Sequence, residues 1–147
     1  APGAPARDVA APTVADAQPG VGTRQHTVTA SAPGSVPAGS SVVVWISAAR
    51  GGAPTRAHTY PYQVLPAGQS RAVTVQMGDE GPADVGASYL VEACTVSGTA
   101  LQLTQAYLAA LADHSPAEVE YRKTGIDLTG YAADYTCPSR LTLHRTA

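Results

Sequence analysis

The chain has no phenylalanine, one tryptophan, one methionine and only two cysteines in 147 residues. Asparagine is absent as well, which removes every N-glycosylation sequon. Lysine occurs once, at Lys123, against eight arginines, and isoleucine only at Ile46 and Ile126. These scarce residues share A/T-rich codons, so the composition points to a very GC-rich bacterial genome. Charge is scarce too: 14 % of residues are charged and the formal net charge is −2, which leaves no basic footprint for a phosphate backbone. Nucleic acid is therefore not an expected partner. No apolar run approaches the roughly 20 residues that a membrane helix needs, so no membrane association is expected. What is present, 44 % hydrophobic residues at a mean hydropathy of −0.04, is enough to bury one core. The length fits a single domain of roughly 100–150 residues.

Residues 1–22 differ from the rest. They carry Pro2, Pro5, Pro12 and Pro19 among alanine and glycine, with charge at Arg7, Asp8 and Asp16 and larger apolar side chains only at Val9, Val14 and Val21. That composition predicts an extended arm rather than a packed element, suited to lying in a partner's groove. The start Ala1-Pro2-Gly3-Ala4 is of the small-residue kind left by signal peptidase, so a removed leader and a secreted, extracellular protein are expected. In that setting Cys94 and Cys137 are expected to form a disulfide rather than a metal half-site.

From residue 23 to 147 the pattern is mainly β. Segment 26–29 alternates, and 41–48 is apolar on both faces, as suits a central strand covered from two sides. Strands are expected at 60–65, 71–77, 87–96 and 140–144, with Cys94 in a core strand. Two Pro-Ala-Gly turns, at Pro37 and Pro66, each launch a Val-rich strand, with proline expected in the second turn position. Segment 99–112 has a helical face through Leu103, Tyr107, Ala110 and Leu111, but Ser97-Gly98 also suits a hairpin turn, so helix and strand both stand. Segment 116–122 alternates as an exposed strand does, while Ser115 with Glu118 fits a capping box. The expected architecture is an antiparallel β-sandwich, immunoglobulin-like in layout, with at most one short helix and the N-terminal arm. Asp134-Tyr135-Thr136-Cys137 resembles the late strand of immunoglobulin domains, but Trp45 precedes both cysteines instead of lying between them.

Catalytic and cofactor motifs are lacking. The four histidines have no helical zinc spacing, no G-x-S-x-G pentad occurs, and there is no phosphate loop and no D-x-D-x-D run. Asp79-Glu80 reads as a solvated turn, and Ser88 as a turn residue. No enzyme, metal or cofactor is expected. The binding candidates are Tyr60-Pro61-Tyr62, at the end of an expected loop over 49–58, with Arg50 and Arg56 on that loop, because tyrosine and arginine are enriched at binding hot spots.

The small-residue start, the Pro-rich arm, the small β domain with one cysteine pair and the GC-biased composition together resemble the adapter subunit of the umbrella toxin particles secreted by Streptomyces and its relatives. The resemblance implies a non-enzymatic adapter in interbacterial antagonism, bridging a lectin-bearing subunit of trypsin-like fold and the stalk of a large toxin. It further implies that Pro5, Arg7, Asp8, Val9, Pro12 and Val14 enter the cleft of the trypsin-like subunit. Two other classes are considered: a secreted carbohydrate- or cell-wall-binding module using Tyr60 and Tyr62, and a protease inhibitor.

Overall fold

The computed structural model describes residues 11–78 and 81–147. It holds two antiparallel sheets. One has three strands in the order β1 (Thr13–Asp16), β2 (Gln25–Ser31), β5 (Ser70–Gln76). The other has four, in the order β4 (Ala53–Leu65), β3 (Ser40–Arg50), β6 (Ser88–Ser97), β7 (Tyr135–His144). Two helices, α1 (Gly98–Asp113) and α2 (Glu118–Thr124), follow β6 in the chain. The mainly β, sandwich-like class expected from the alternation is the one observed.

The period-2 pattern decides which side chains meet. Val28 and Ala30 of β2 and Val73 and Val75 of β5 face Val42, Val44 and Ile46 of β3 and Val91 and Ala93 of β6, closing one apolar core between the sheets. The alternate residues of the four-stranded sheet, Val43, Trp45, Cys94 and Val96, point the other way into a second core. There Ala100 and Tyr107 of α1, together with Ile126 and Leu128, cover them. The doubly apolar run at 41–48 is thus a central strand buried on both sides. Burial of each such valine or leucine is worth about 1.5–3 kcal/mol, which is why β3 has almost no exposed face.

Both Pro-Ala-Gly segments do turn the chain, but one position out of the expected phase. Pro37 and Pro66 are the first residues, since their carbonyls accept from the Ser40 and Gln69 N–H at 3.0 and 3.1 Å, and glycine takes the left-handed third position at φ 78° and 75°.

Segment 98–113 is helical, so the hairpin alternative is overturned. Gly98 carries a positive φ of 57°, and a Cβ there would sit 3.0 Å from the Asp134 carboxylate. That carboxylate accepts from the Ala100 N–H at 3.2 Å and satisfies one of the free donors of the helix start from a distant part of the chain. The strand expected over 116–122 is corrected as well: 118–124 is α2, held by the i, i+4 ion pair of Glu118 with Arg122 at 2.7 Å. Ser115 does not cap it by side chain; its carbonyl accepts the Glu118 N–H.

The N-terminal arm needs correction within its described part. Thr13–Asp16 pairs with β2 as strand β1, with Val14 opposite Ala30. Val14 lies in the inter-sheet core, and its N–H donates to Ser139 Oγ at 2.9 Å. Pro12 is buried too. Asp16 anchors the strand end by accepting from His26 Nε2 at 2.7 Å and from the Gln18 N–H at 2.8 Å. The packed domain therefore begins before residue 23, and Pro12 and Val14, expected in a partner's cleft, are buried against their own chain. Pro5, Arg7, Asp8 and Val9 lie outside the described residues.

Candidate functional site

Strand β4 is an edge strand, and its irregularities shape the surface beside it. Val44 pairs with Gln63 while Trp45 pairs with Pro61, so Tyr62 is an extra, bulged residue. A larger shift between Ser47 and Ala49 leaves residues 55–58 looped out opposite Ala48 alone. Pro61 has no N–H to offer, as edge positions tolerate.

Around this edge lies a groove of about 880 Å³, within the range of ligand sites. Its walls come from both layers. Tyr60, Tyr62 and Tyr89 line it from the four-stranded sheet, and Tyr107 and Leu111 from α1. Arg24, Arg50, Arg122 and Lys123 also line it, which is four of the nine Lys and Arg residues of the chain, against one carboxylate, Asp84. The looped 55–58 segment contributes Thr55 and His58.

The tyrosines are fixed to different degrees. Tyr60 donates its hydroxyl to the Lys123 carbonyl at 2.8 Å, which ties α2 to β4. Tyr62 accepts from the Gln76 N–H at 2.9 Å, which ties β4 to β5. Burial pushes the Tyr62 phenol above its usual range, against the hydrogen bond from Gln76 and the charge of Arg24. Burial likewise pushes Tyr107 up to about 12, with Tyr62 and Tyr60 adding to the rise and Arg122 opposing it. Both groups are neutral donors near neutral pH. Arg24 is braced by the Gly78 carbonyl at 2.9 Å and Gln76 Oε1 at 2.8 Å.

A second constellation lies on the helix-covered face of the four-stranded sheet. Glu92 is fully buried and is bonded by both Arg56 nitrogens at 2.6 and 3.1 Å, by Arg140 at 3.0 and 3.2 Å, and by Trp45 Nε1 at 3.2 Å. The Arg56 guanidinium also lies 5.0 Å from the Tyr135 ring centre and 5.9 Å from that of Trp45. Next to it Cys94 and Cys137 are joined, as expected, across the neighbouring strands β6 and β7 with their Cα atoms 4.1 Å apart. The bridge lies within one sheet, unlike the inter-sheet bridge of immunoglobulin domains. Glu92 and the two sulfurs lie close enough to suggest a metal triad. The sulfurs are bonded to each other, however, and the carboxylate is taken by two arginines, so this is a structural knot.

Ser88 opens strand β6 rather than sitting in a turn, and its hydroxyl meets His144 Nδ1 at 2.6 Å. A nucleophile needs its base oriented by a third group. Among the described residues nothing bonds the far ring nitrogen of His144, and the pair is exposed on a sheet surface.

Of the residues singled out in the sequence, the structure brings Tyr60 and Tyr62 to one groove. Arg50 joins them, although the loop expected over 49–58 is instead the end of β3, a tight turn and the start of β4. Arg56, a partner-binding candidate in the sequence, has its guanidinium bonded inward to Glu92, because the looped 55–58 segment folds it over Trp45. Sequence reasoning missed Arg24, Tyr107, Arg122 and Lys123 as groove residues, which come from separate elements and share no motif. No protein-family model, curated protein or solved structure matches this chain.

Proposed function

We propose that this chain is a secreted, non-enzymatic adapter that joins the subunits of an extracellular antibacterial complex, and that it docks through the groove beside β4. The reading of its class follows the resemblance to umbrella toxin adapters. The observation that carries the site is the gathering of tyrosines and arginines in one concave surface, since these two residue types dominate binding hot spots. The folding of β1 onto its own sheet moves the docking role away from residues 12–16. A single disulfide is compatible with an extracellular setting.

A pull-down from the culture medium of the source organism, using the full chain with intact disulfide, tests this reading. The wild-type protein is expected to retain a partner at fixed stoichiometry, and the double charge reversal Arg50→Glu with Lys123→Glu to lose it. Removal of residues 1–10 should leave capture in place. If that truncation abolishes capture while the reversal does not, the docking element is the arm and the groove assignment is wrong. Retention of soluble glycan in place of any protein would favour the carbohydrate-binding alternative.

A further inference from the structure

We infer that the groove beside β4 recognises carboxylates, and that its occupant is an acidic, extended peptide segment of the partner protein, held by Arg50 and Lys123 at the rim and by the Tyr107 hydroxyl on the floor. The inference rests on the adapter reading above and adds the chemistry of what is bound.

Tyr107 is the first support. Its residue is 5 % exposed, its ring packs edge-on against Tyr121 at 5.3 Å, and yet its hydroxyl has no hydrogen-bond partner among the described residues and faces the groove. The hydroxyl itself is not sealed from solvent, since His26 Nδ1 is the one buried polar side-chain atom without a partner among the described residues, and a phenol in the neutral form has a proton to give. The neighbouring Tyr60 has already given its proton to a carbonyl. Tyr107 is therefore an available donor that a ligand in the groove can reach.

Charge is the second support. Arg122 is tied to Glu118 and Arg24 to main-chain and amide oxygens, so both are partly satisfied. Neither the Arg50 nor the Lys123 side chain has a partner among the described residues, and the one carboxylate lining the groove is Asp84. In a chain of net charge −2 this local excess of cations marks a site for an anion. Two cations without a partner among the described residues match the separated carboxylates of a peptide and are too few to hold a phosphate backbone. The volume of about 880 Å³ admits several residues rather than one small ion. Pro61 and the Tyr62 bulge deny the occupant a regular ladder on the β4 edge, so side chains must provide the selectivity.

Fluorescence anisotropy on the full, disulfide-intact chain tests the inference, with a fluorescein-labelled peptide of alternating Glu and Gly and its Gln-Gly twin as probes. The acidic peptide is expected to bind at least about tenfold more tightly than the twin, and to weaken severalfold when salt shortens the Debye length. Arg50→Gln with Lys123→Gln should erase most of that preference. Tyr107→Phe, which removes one oxygen and keeps the ring, should weaken the acidic peptide about fivefold or more with the melting temperature unchanged. Equal binding of the two peptides, or binding indifferent to both variants, overturns the inference. So does displacement of the acidic peptide by polygalacturonate at lower carboxylate concentration, which would make the ligand a glycan. If the peptide fails while the charge reversal still abolishes partner capture, only the carboxylate inference falls. If the peptide binds and partner capture ignores the reversal, the adapter reading falls instead.

Discussion

The two faces of the four-stranded sheet are built on different physics. Toward the three-stranded sheet, Val42, Val44, Ile46, Val91 and Ala93 meet Val28, Val73 and Val75 in an apolar core, with directional bonds between the sheets only at its margins, from the Gln76 N–H to Tyr62 and from the Val14 N–H to Ser139. Toward the helices, the same strands present Trp45, Glu92 and Cys94, and cohesion there depends on a covalent bridge, a buried carboxylate between two arginines and ring contacts. The first face is indifferent to redox state and needs no exact partner. The second is specific and vulnerable, and it abuts the groove through Tyr60, which touches both cores. A face that must hold a helix layer in one position benefits from directional bonds. A face that only excludes water does not need them.

The contrast is broken most strongly by opening the disulfide. It closes a separation of 43 residues, which the chain-entropy model values at roughly 4 kcal/mol. Cys94→Ser with Cys137→Ser should lower the melting temperature by about 10 °C or more. Hydrogen exchange in that variant should rise first in β7 and α1 and last in β2 and β5. Uniform exchange across both sheets would show that the two faces are not separable.

Glu92→Ala should cost less, about 2–3 kcal/mol, because Arg56 and Arg140, with side chains 20 % and 41 % exposed, can turn back to water when their anion is gone. Trp45 fluorescence reports it, since the indole loses its acceptor and the guanidinium over its ring. An unchanged emission and midpoint of denaturation would place the cohesion of this face elsewhere.

The smallest effect belongs to Asp16 at the end of β1. Burial acts to raise its carboxyl, but the hydrogen bonds from His26 and Gln18 outweigh it and hold the group below its ordinary value of 3.8. A carboxyl lowered on folding stabilises the fold above its unfolded value and loses that contribution as the pH falls through its folded value. Asp16→Asn should therefore cost about 1 kcal/mol at neutral pH, with the gap to wild type closing below about pH 4. A gap that does not narrow at all as the pH is lowered from 7 through the carboxylate range to about 2 would show that the substitution acts by packing.

How much of this was legible in the sequence follows from how local each signal is. The strand set, the buried Trp45 and the disulfide were readable because alternation and an even cysteine pair need no knowledge of distant residues. Strand β1 was not, since Val14 is one apolar residue between prolines and its burial depends on Ala30 and Ser139 being in place. In α2, Val119 and Tyr121 mimic a strand, and seven residues are too few to separate a period of 2 from one of 3.6. The groove showed only its Tyr60-Pro61-Tyr62 corner and Arg50. Its cations come from the approach to β2, the end of β3 and α2, which only the tertiary fold unites, and Arg56 was misread because the inward turn of 55–58 depends on a glutamate 36 residues away.

Thirteen residues of edge strand would ordinarily invite fibril growth, since cross-β stacks need only six or seven regular ones. In β4 the looped 55–58 segment, the bridge of Thr59 to Ile126, the missing donor of Pro61 and the Tyr62 bulge leave no uninterrupted stretch of that size. Along this edge the protein should therefore tolerate high concentration without seeding its own aggregation.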